Sequence, residues 1–359
     1  MIPYEGWDRE YQENKEKYLE IFDKFMSQSN YENPEIFEKE FAKFMGRKYA
    51  VSVASATDAL YFSLLVHGVG PGDEVLVTDF SWISTSSCVS MTGAIPVFCD
   101  IDLDSYHISL DSIKRMYSPK VKALIYTHLF GNMTGTKEIE KFCKEKGIAL
   151  IEDAAQSLGS SLNGRKAGTI GDSSSFSFNT NKVIAGINGG GMYLTDNNSH
   201  AEYVKKLRRH GKGKDFEFLG YNSRMYVLNS EIIRYRLSQI DNYQAKRNRI
   251  ADVYNRQFCS LPVTIQKPLE HQEHNYHKYV IRCSNQLDRD NLKNLLSASI
   301  HYDTCLSANS MYNSVFHRKD TCVNSEIASQ TVLSLPVHAW LFPNELDWII
   351  DSVRDYFQS

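Results

Sequence analysis

The sequence lacks most of the features that assign a protein quickly. Its seven cysteines are scattered and odd in number, and none forms a Cys-x-x-Cys pair. Neither a zinc site nor a disulfide framework is supported, no metal is expected, and a reducing cytoplasm is the expected setting. No apolar stretch approaches the roughly 20 residues that cross a bilayer. The opening residues, Met1-Ile2-Pro3-Tyr4-Glu5-Gly6-Trp7-Asp8, lack a basic start followed by an apolar run, so no secretory leader and no membrane association are expected. A formal net charge of -3 argues against a general polyanion binder, nucleic acid included, but allows a local basic patch for a phosphorylated ligand. There is no internal repeat, no low-complexity segment and no Pro- or Gly-rich linker. Nor is there a Gly-x-Gly-x-x-Gly turn after the first strand, where Ala54-Ser55-Ala56-Thr57 stands instead, so a Rossmann dehydrogenase is excluded.

What is present is an alternation of short apolar runs and helical stretches in a chain of 359 residues, 42% hydrophobic and 23% charged. That is a globular composition, long enough for one large domain and a smaller one. Phe37, Phe41 and Phe44 recur at helical spacing and mark one buried face. Strand-like runs follow at Tyr49 to Val53, Glu74 to Thr78, Ile95 to Cys99, Lys122 to Thr127, Ala149 to Glu152, Ser174 to Phe178 and Gly191 to Thr195. Most are rich in Val, Ile, Leu or Phe, as strands covered on both faces are. Between them the pattern predicts helices over Thr57 to Val66 and Thr136 to Lys146, the second stopped by Gly147. This order reads as an α/β sheet of seven strands with helices on both sides. Beyond Tyr203 the spacing predicts long amphipathic helices around Ser230 to Leu261, a strand at Tyr279 to Arg282, and helices at Arg289 to Ala298 and Pro343 to Phe357. A large domain is expected over residues 1–245 and a smaller α+β domain over 246–359, with the boundary between 230 and 265.

Three segments carry chemistry, each at an expected strand end, where open α/β sheets bind ligands. The first is Val53-Ala54-Ser55-Ala56-Thr57-Asp58, a strand running into a helix through small and hydroxylic residues. Free N–H groups at such a start can cradle a phosphate, although a Ser/Thr cap with no ligand has the same appearance. The second is Ile151-Glu152-Asp153-Ala154-Ala155-Gln156. A carboxylate at the end of a buried strand needs a partner, and a protonated pyridine nitrogen, a capped N–H or a metal would each serve. The third is Ser175-Phe176-Ser177-Phe178-Asn179-Thr180-Asn181-Lys182, ahead of Gly189-Gly190-Gly191. It offers either a Schiff-base lysine with glycines that let backbone approach a cofactor, or a solvated loop lysine.

Taken together and in this order, the segments resemble the fold-type I pyridoxal-phosphate (PLP) enzymes, and within them the DegT/StrS family of sugar aminotransferases. Two further stretches are similar to family motifs: Gly220-Tyr221-Asn222-Ser223-Arg224-Met225 and Leu333-Ser334-Leu335-Pro336-Val337-His338. The resemblance runs from about residue 35 to the C-terminus. It implies a large domain with a mixed, mostly parallel seven-stranded sheet flanked by helices, plus the smaller C-terminal domain. By the same resemblance, Lys182 would bond to the cofactor and move the proton, and Asp153 would keep the pyridine nitrogen protonated. Trp82 would stack on the ring, with an ordinary half-buried core aromatic as the alternative, and Gln156 would lie near the ring hydroxyl. Ala56, Thr57 and Ser177 would hold the phosphate. Asn222 would reach the phosphate of a neighbouring subunit, which implies a homodimer with shared sites. The implied reaction moves an amino group from an amino acid, L-glutamate by family analogy, through the pyridoxamine form of the cofactor, to a 3- or 4-keto nucleotide-linked sugar. Lys205, Lys206, Arg208, Arg209, Lys212 and Lys214 are candidates for neutralising the diphosphate, or simply a solvated helix face. A sugar dehydratase of the same family would carry His at position 182, and a purely ligand-binding homologue would lack Lys182 or Asp153. Ala56 departs from the family's Gly at the phosphate turn but still offers its N–H, whereas later departures, such as Asp303 after Ile300-His301-Tyr302, fall where the sugar would lie.

Overall fold

The computed structural model describes residues 2–27, 34–296 and 298–358. Seven strands build the main sheet: β1 (Tyr49–Val53), β2 (Glu74–Thr78), β3 (Ile95–Cys99), β4 (Val121–Thr127), β5 (Ala149–Asp153), β6 (Ser173–Ser177) and β7 (Gly191–Thr195). Their order is β1-β7-β6-β5-β4-β2-β3. Strand β7 runs antiparallel to both of its neighbours, and the remaining pairs are parallel. The ends of β1, β4, β5 and β6 and the beginning of β7 therefore share one edge, to which all three chemistry-bearing segments are delivered. The expectation of seven strands needs one correction. Arg318–Lys319 from the C-terminal part adds an eighth, parallel to β3. A two-residue charged edge strand leaves no apolar run to read, and such strands blunt a sheet edge.

Each face of the sheet buries its own core. Val51, Val53, Ile125, Ile151 and Tyr193 pack with the helix Ala56–Val66 on one side. Leu76, Val97, Leu124, Tyr126 and Leu150 pack with the helix Thr136–Lys146 on the other. Gly147 ends that helix in the left-handed conformation, at φ 66°. The helix Glu35–Met45 buries Phe37 and Phe41 against Phe176 and Phe178 of β6 and its extension, with ring centroids 5.4–5.7 Å apart. Residues 28–33 lie outside the described residues.

Beyond Val227 the chain forms helices Val227–Ser238 and Ile240–Phe258, separated at Gln239. A three-stranded antiparallel sheet of Val263–Ile265, Tyr279–Cys283 and Val332–Leu335 follows. Tyr254, Phe258, Ile281, Leu292, Leu335 and Ile349 form its core. The helix expected to end at Ala298 spans Gln286–Leu296, and Ser297 is outside the described residues. The helix Ser84–Met91 has no sequence signal, because STSSCVSM carries hardly any apolar periodicity. No helix among the described residues is long and apolar enough to cross a membrane.

Candidate active site

Strand alternation decides which side chains face the site. Along β6, Phe176 points into the core below helix Glu35–Met45, so Ser175 and Ser177 point to the opposite face. Ser175 Oγ donates to the Ala56 carbonyl at 2.9 Å, which docks the start of helix Ala56–Val66 against this strand. Ser55 caps that helix by accepting from the Asp58 N–H, and Thr57 Oγ1 lies 2.7 Å from Ser84 Oγ. Gly191 allows the approach, since a Cβ there would come within 2.3 Å of the Ser55 carbonyl carbon and oxygen. The result is a helix start bordered by Ala56, Thr57, Ser84 and Ser177.

The same alternation divides Glu152 from Asp153. Asp153 shares the Ile151 face, where its Oδ2 accepts from Thr85 Oγ1 at 3.0 Å and its Oδ1 from the Ala155 N–H at 3.2 Å. It is buried, and burial pushes its carboxyl above the usual range against the pull of these donors, Lys182 and His128. Glu152 faces the other way. Its carboxylate accepts from the Gly168, Ile170 and Gly171 N–H groups at 2.6–2.8 Å and lies 2.6 Å from His128 Nε2. Burial pushes it up, but the His128 contact and the N–H groups outweigh burial and hold it below the ordinary value. Glu152 ties a loop to the sheet, and Asp153 belongs to the site.

Lys182 lies on a bend after β6, its N–H donating to the Asn179 carbonyl at 3.0 Å. The bend is held by Gly186 N–H to Phe178 (2.7 Å) and Phe178 N–H to Gly190 (2.9 Å), with Gly190 at φ 123°. Burial lowers the Lys182 ammonium to about 8, helped by the Lys278 charge and opposed by Asp153 and Glu5. About a tenth of its population is thus free amine at pH 7, far more than an ordinary lysine offers.

Of the other expected residues, Gln156 is pinned. Its Oε1 accepts from the Phe130 N–H at 2.9 Å, and its Nε2 donates to Tyr302 Oη at 3.0 Å. Trp82 is 59% exposed, which removes the core-aromatic reading, and its ring lies 6.1 Å from that of Tyr302. Asn222 sits on an exposed loop, which Ser223 fastens to the helix start by accepting from Ala54 N–H and donating to Asp58. The basic candidates do not gather at this edge. Lys205, Lys206, Arg209 and Lys212 line a depression beside Lys48 and Tyr49, at the opposite end of β1 from Thr57. Lys214 is exposed. Arg208 is buried and committed to Glu38 and the Ser52 carbonyl. Their charge follows the helix Asn198–Leu207 and its continuation, which pack against the far part of the sheet.

Sequence reasoning missed Thr85, Tyr302, Glu5 and Lys278. Thr85 reaches the site from a helix with no motif of its own, and Tyr302 from a segment singled out only for its departure at Asp303. Glu5 and Lys278 pair at 3.1 Å across 273 residues, which no local pattern reveals.

These groups suit PLP. A buried carboxylate whose oxygens meet only neutral hydrogen-bond donors suits a protonated ring nitrogen. A lysine poised near 8 suits its aldehyde, and a hydroxyl-bordered helix start suits its phosphate. Fold and site together are those of a PLP enzyme. The chain belongs to the DegT/DnrJ/EryC1/StrS aminotransferase family, whose model matches residues 9–354. It is a PLP-dependent sugar aminotransferase. Among its relatives is a GDP-perosamine synthase of Vibrio cholerae, 32% identical over 73% of each chain. Another is a UDP-N-acetyl-3-dehydro-alpha-D-glucosamine 3-aminotransferase of Acidithiobacillus ferrooxidans, 31% identical over 88% of this chain and 86% of that one. The crystal structure of DesV from S. venezuelae, solved with a ketimine intermediate, superposes with a TM-score of 0.95 at 26% identity, covering 100% of this chain and 99% of that one.

Proposed function

We propose that this enzyme transfers the amino group of L-glutamate to a 3- or 4-keto group on a nucleotide-linked sugar or deoxysugar, in the cytoplasm, as a homodimer. The observation that carries the reading is the juxtaposition, at one sheet edge, of the Asp153 carboxylate and a Lys182 amine that is readily deprotonated. The names of the two relatives, one a GDP-sugar synthase and the other a UDP-sugar aminotransferase, support the substrate class.

PLP, when bound, supplies an electron sink for the charge left at the donor carbon. The chain's own contribution is to bind, orient and move protons. Asp153, fixed by Thr85 and the Ala155 N–H, would hold the ring nitrogen in its protonated form. Lys182 Nζ would anchor the cofactor covalently and, once displaced by the donor's nitrogen, carry the proton between the two carbons that exchange it. Ala56 N–H, Thr57 Oγ1 and Ser177 Oγ would hold the phosphate. Trp82 would cover one face of the ring, and the pinned Gln156 amide would face the ring hydroxyl. Asn222, exposed on its loop, would complete the phosphate site of a second copy.

The test is transfer of ¹⁵N from labelled L-glutamate in the presence of PLP and a panel of 3- and 4-keto nucleotide sugars, with mass-spectrometric detection. Label in an amino sugar nucleotide supports the reading. Transfer from another amino acid only would overturn the donor, and no transfer to any nucleotide-linked keto sugar would overturn the acceptor class.

A further inference from the structure

The start of the chain reaches this site from behind. The Trp7 indole N–H donates to the Thr180 carbonyl, two residues before Lys182. The Pro3 carbonyl meets His338 Nε2 at 3.1 Å, and Gly6 lies so close that a Cβ would come within 2.5 Å of the His338 ring. Residues 3–7 thus bridge the Lys182 loop and the C-terminal sheet.

Within this bridge, Glu5 accepts from Lys278 Nζ at 3.1 Å. Lys278 is only 3% exposed, and its ammonium lies 4.5 Å over the Tyr4 ring. Contacts continue from Tyr4 to His301 (5.9 Å) and from His301 to Tyr302 (5.7 Å), whose hydroxyl accepts from Gln156. A buried ammonium keeps its charge only beside a counter-charge. Burial pushes the Lys278 ammonium below the usual lysine range, Glu5 pulls the other way as its counter-charge, and the buried Arg247 adds to the lowering. Among the described residues, three charged groups act on Lys182, namely Lys278, Asp153 and Glu5. His277 and His301 also face it, but burial holds both neutral. Lys278 is therefore the cation that disfavours a second positive charge at Lys182.

We propose that Lys278, clamped by Glu5 on the N-terminal segment, is a positioning residue for Lys182: a fixed buried charge that favours the uncharged amine. This rests on the reading of Lys182 as the cofactor-binding lysine. It assigns the N-terminal segment a part in the site as well as in packing.

The test uses PLP-free protein, trace-labelled with acetic anhydride across pH and read by mass spectrometry at the peptide carrying Lys182. The wild type should label with a midpoint near pH 8. Lys278→Met should raise that midpoint by about one pH unit or more, and Lys278→Arg, which keeps the charge, should leave it in place. The rate of PLP loading should follow, falling roughly tenfold in Lys278→Met near pH 7 and matching wild type near pH 10. An unmoved midpoint in folded Lys278→Met overturns the proposal. So does a wild-type midpoint in the ordinary lysine range, which needs no variant. Should Lys182 label as described while added PLP gives no visible band, the cofactor reading fails on its own, because the labelling does not involve PLP.

Discussion

At the residue scale, the site depends on where two adjacent acids point. Glu152 and Asp153 are neighbours in sequence, yet alternation along β5 sends them to opposite faces. One meets three backbone N–H groups and His128, the other only Thr85 Oγ1 and one N–H. The under-compensated carboxylate is the one suited to a cationic ring nitrogen. Asp153→Asn keeps its shape and removes the charge, and kcat is expected to fall about 10²–10³-fold while the protein still binds PLP. Steady-state kinetics beside the cofactor spectrum checks this, and an unchanged kcat would remove Asp153 from the chemistry. Lys182 and Asp153 were legible because their types and order match a chemistry. Lys278 was not, since a lysine in Tyr276-His277-Lys278-Tyr279 looks like any solvated lysine until the fold buries it beside Glu5.

At the element scale, the strands carrying the motifs were legible because they are apolar and end in small or polar residues. Helix Ser84–Met91 and strand Arg318–Lys319 were not, because a run of Ser and Thr and a pair of cations lack periodic apolar signal. Tertiary contacts make both. Thr85 of the helix donates to Asp153, and Arg318 is tied to Glu74 at 2.5 Å. The loop after β5 is held by Glu152, and its energetic weight can be measured. Glu152→Gln should lower stability by about 3–5 kcal/mol, because it breaks a buried pairing and leaves its partners unmatched. Urea unfolding checks this. The Glu152 carboxyl is held below its ordinary value in the fold, so the stability it contributes is present above the ordinary glutamate range and is lost as pH falls through the folded value. A stability profile of Glu152→Gln with the wild-type acid limb intact would contradict this.

At the scale of the whole molecule, the sheet order brings segments near residues 55, 153 and 182 to one edge, and the C-terminal part closes over them through Tyr302 and Lys278. That convergence could be read from the motifs, since their order and strand context match a known family. The closure could not, because it depends on pairings across more than a hundred residues. In the proposed dimer, Asn222 of one copy serves the cofactor held by Lys182 of the other. Lys182→Ala and Asn222→Ala chains, each impaired alone, should regain about a quarter of wild-type activity per site when mixed and re-equilibrated as dimers, roughly the random-assortment share. No recovery on mixing would place Asn222 in the site of its own chain.

The central claim, that Lys182 carries the cofactor, has a direct test. Borohydride reduction of the PLP-loaded protein, followed by proteolysis and mass spectrometry, should find the phosphopyridoxyl group on Lys182 and nowhere else, and Lys182→Ala should yield no labelled peptide. Label on another residue, Lys278 included, or undiminished label in Lys182→Ala, would contradict the account.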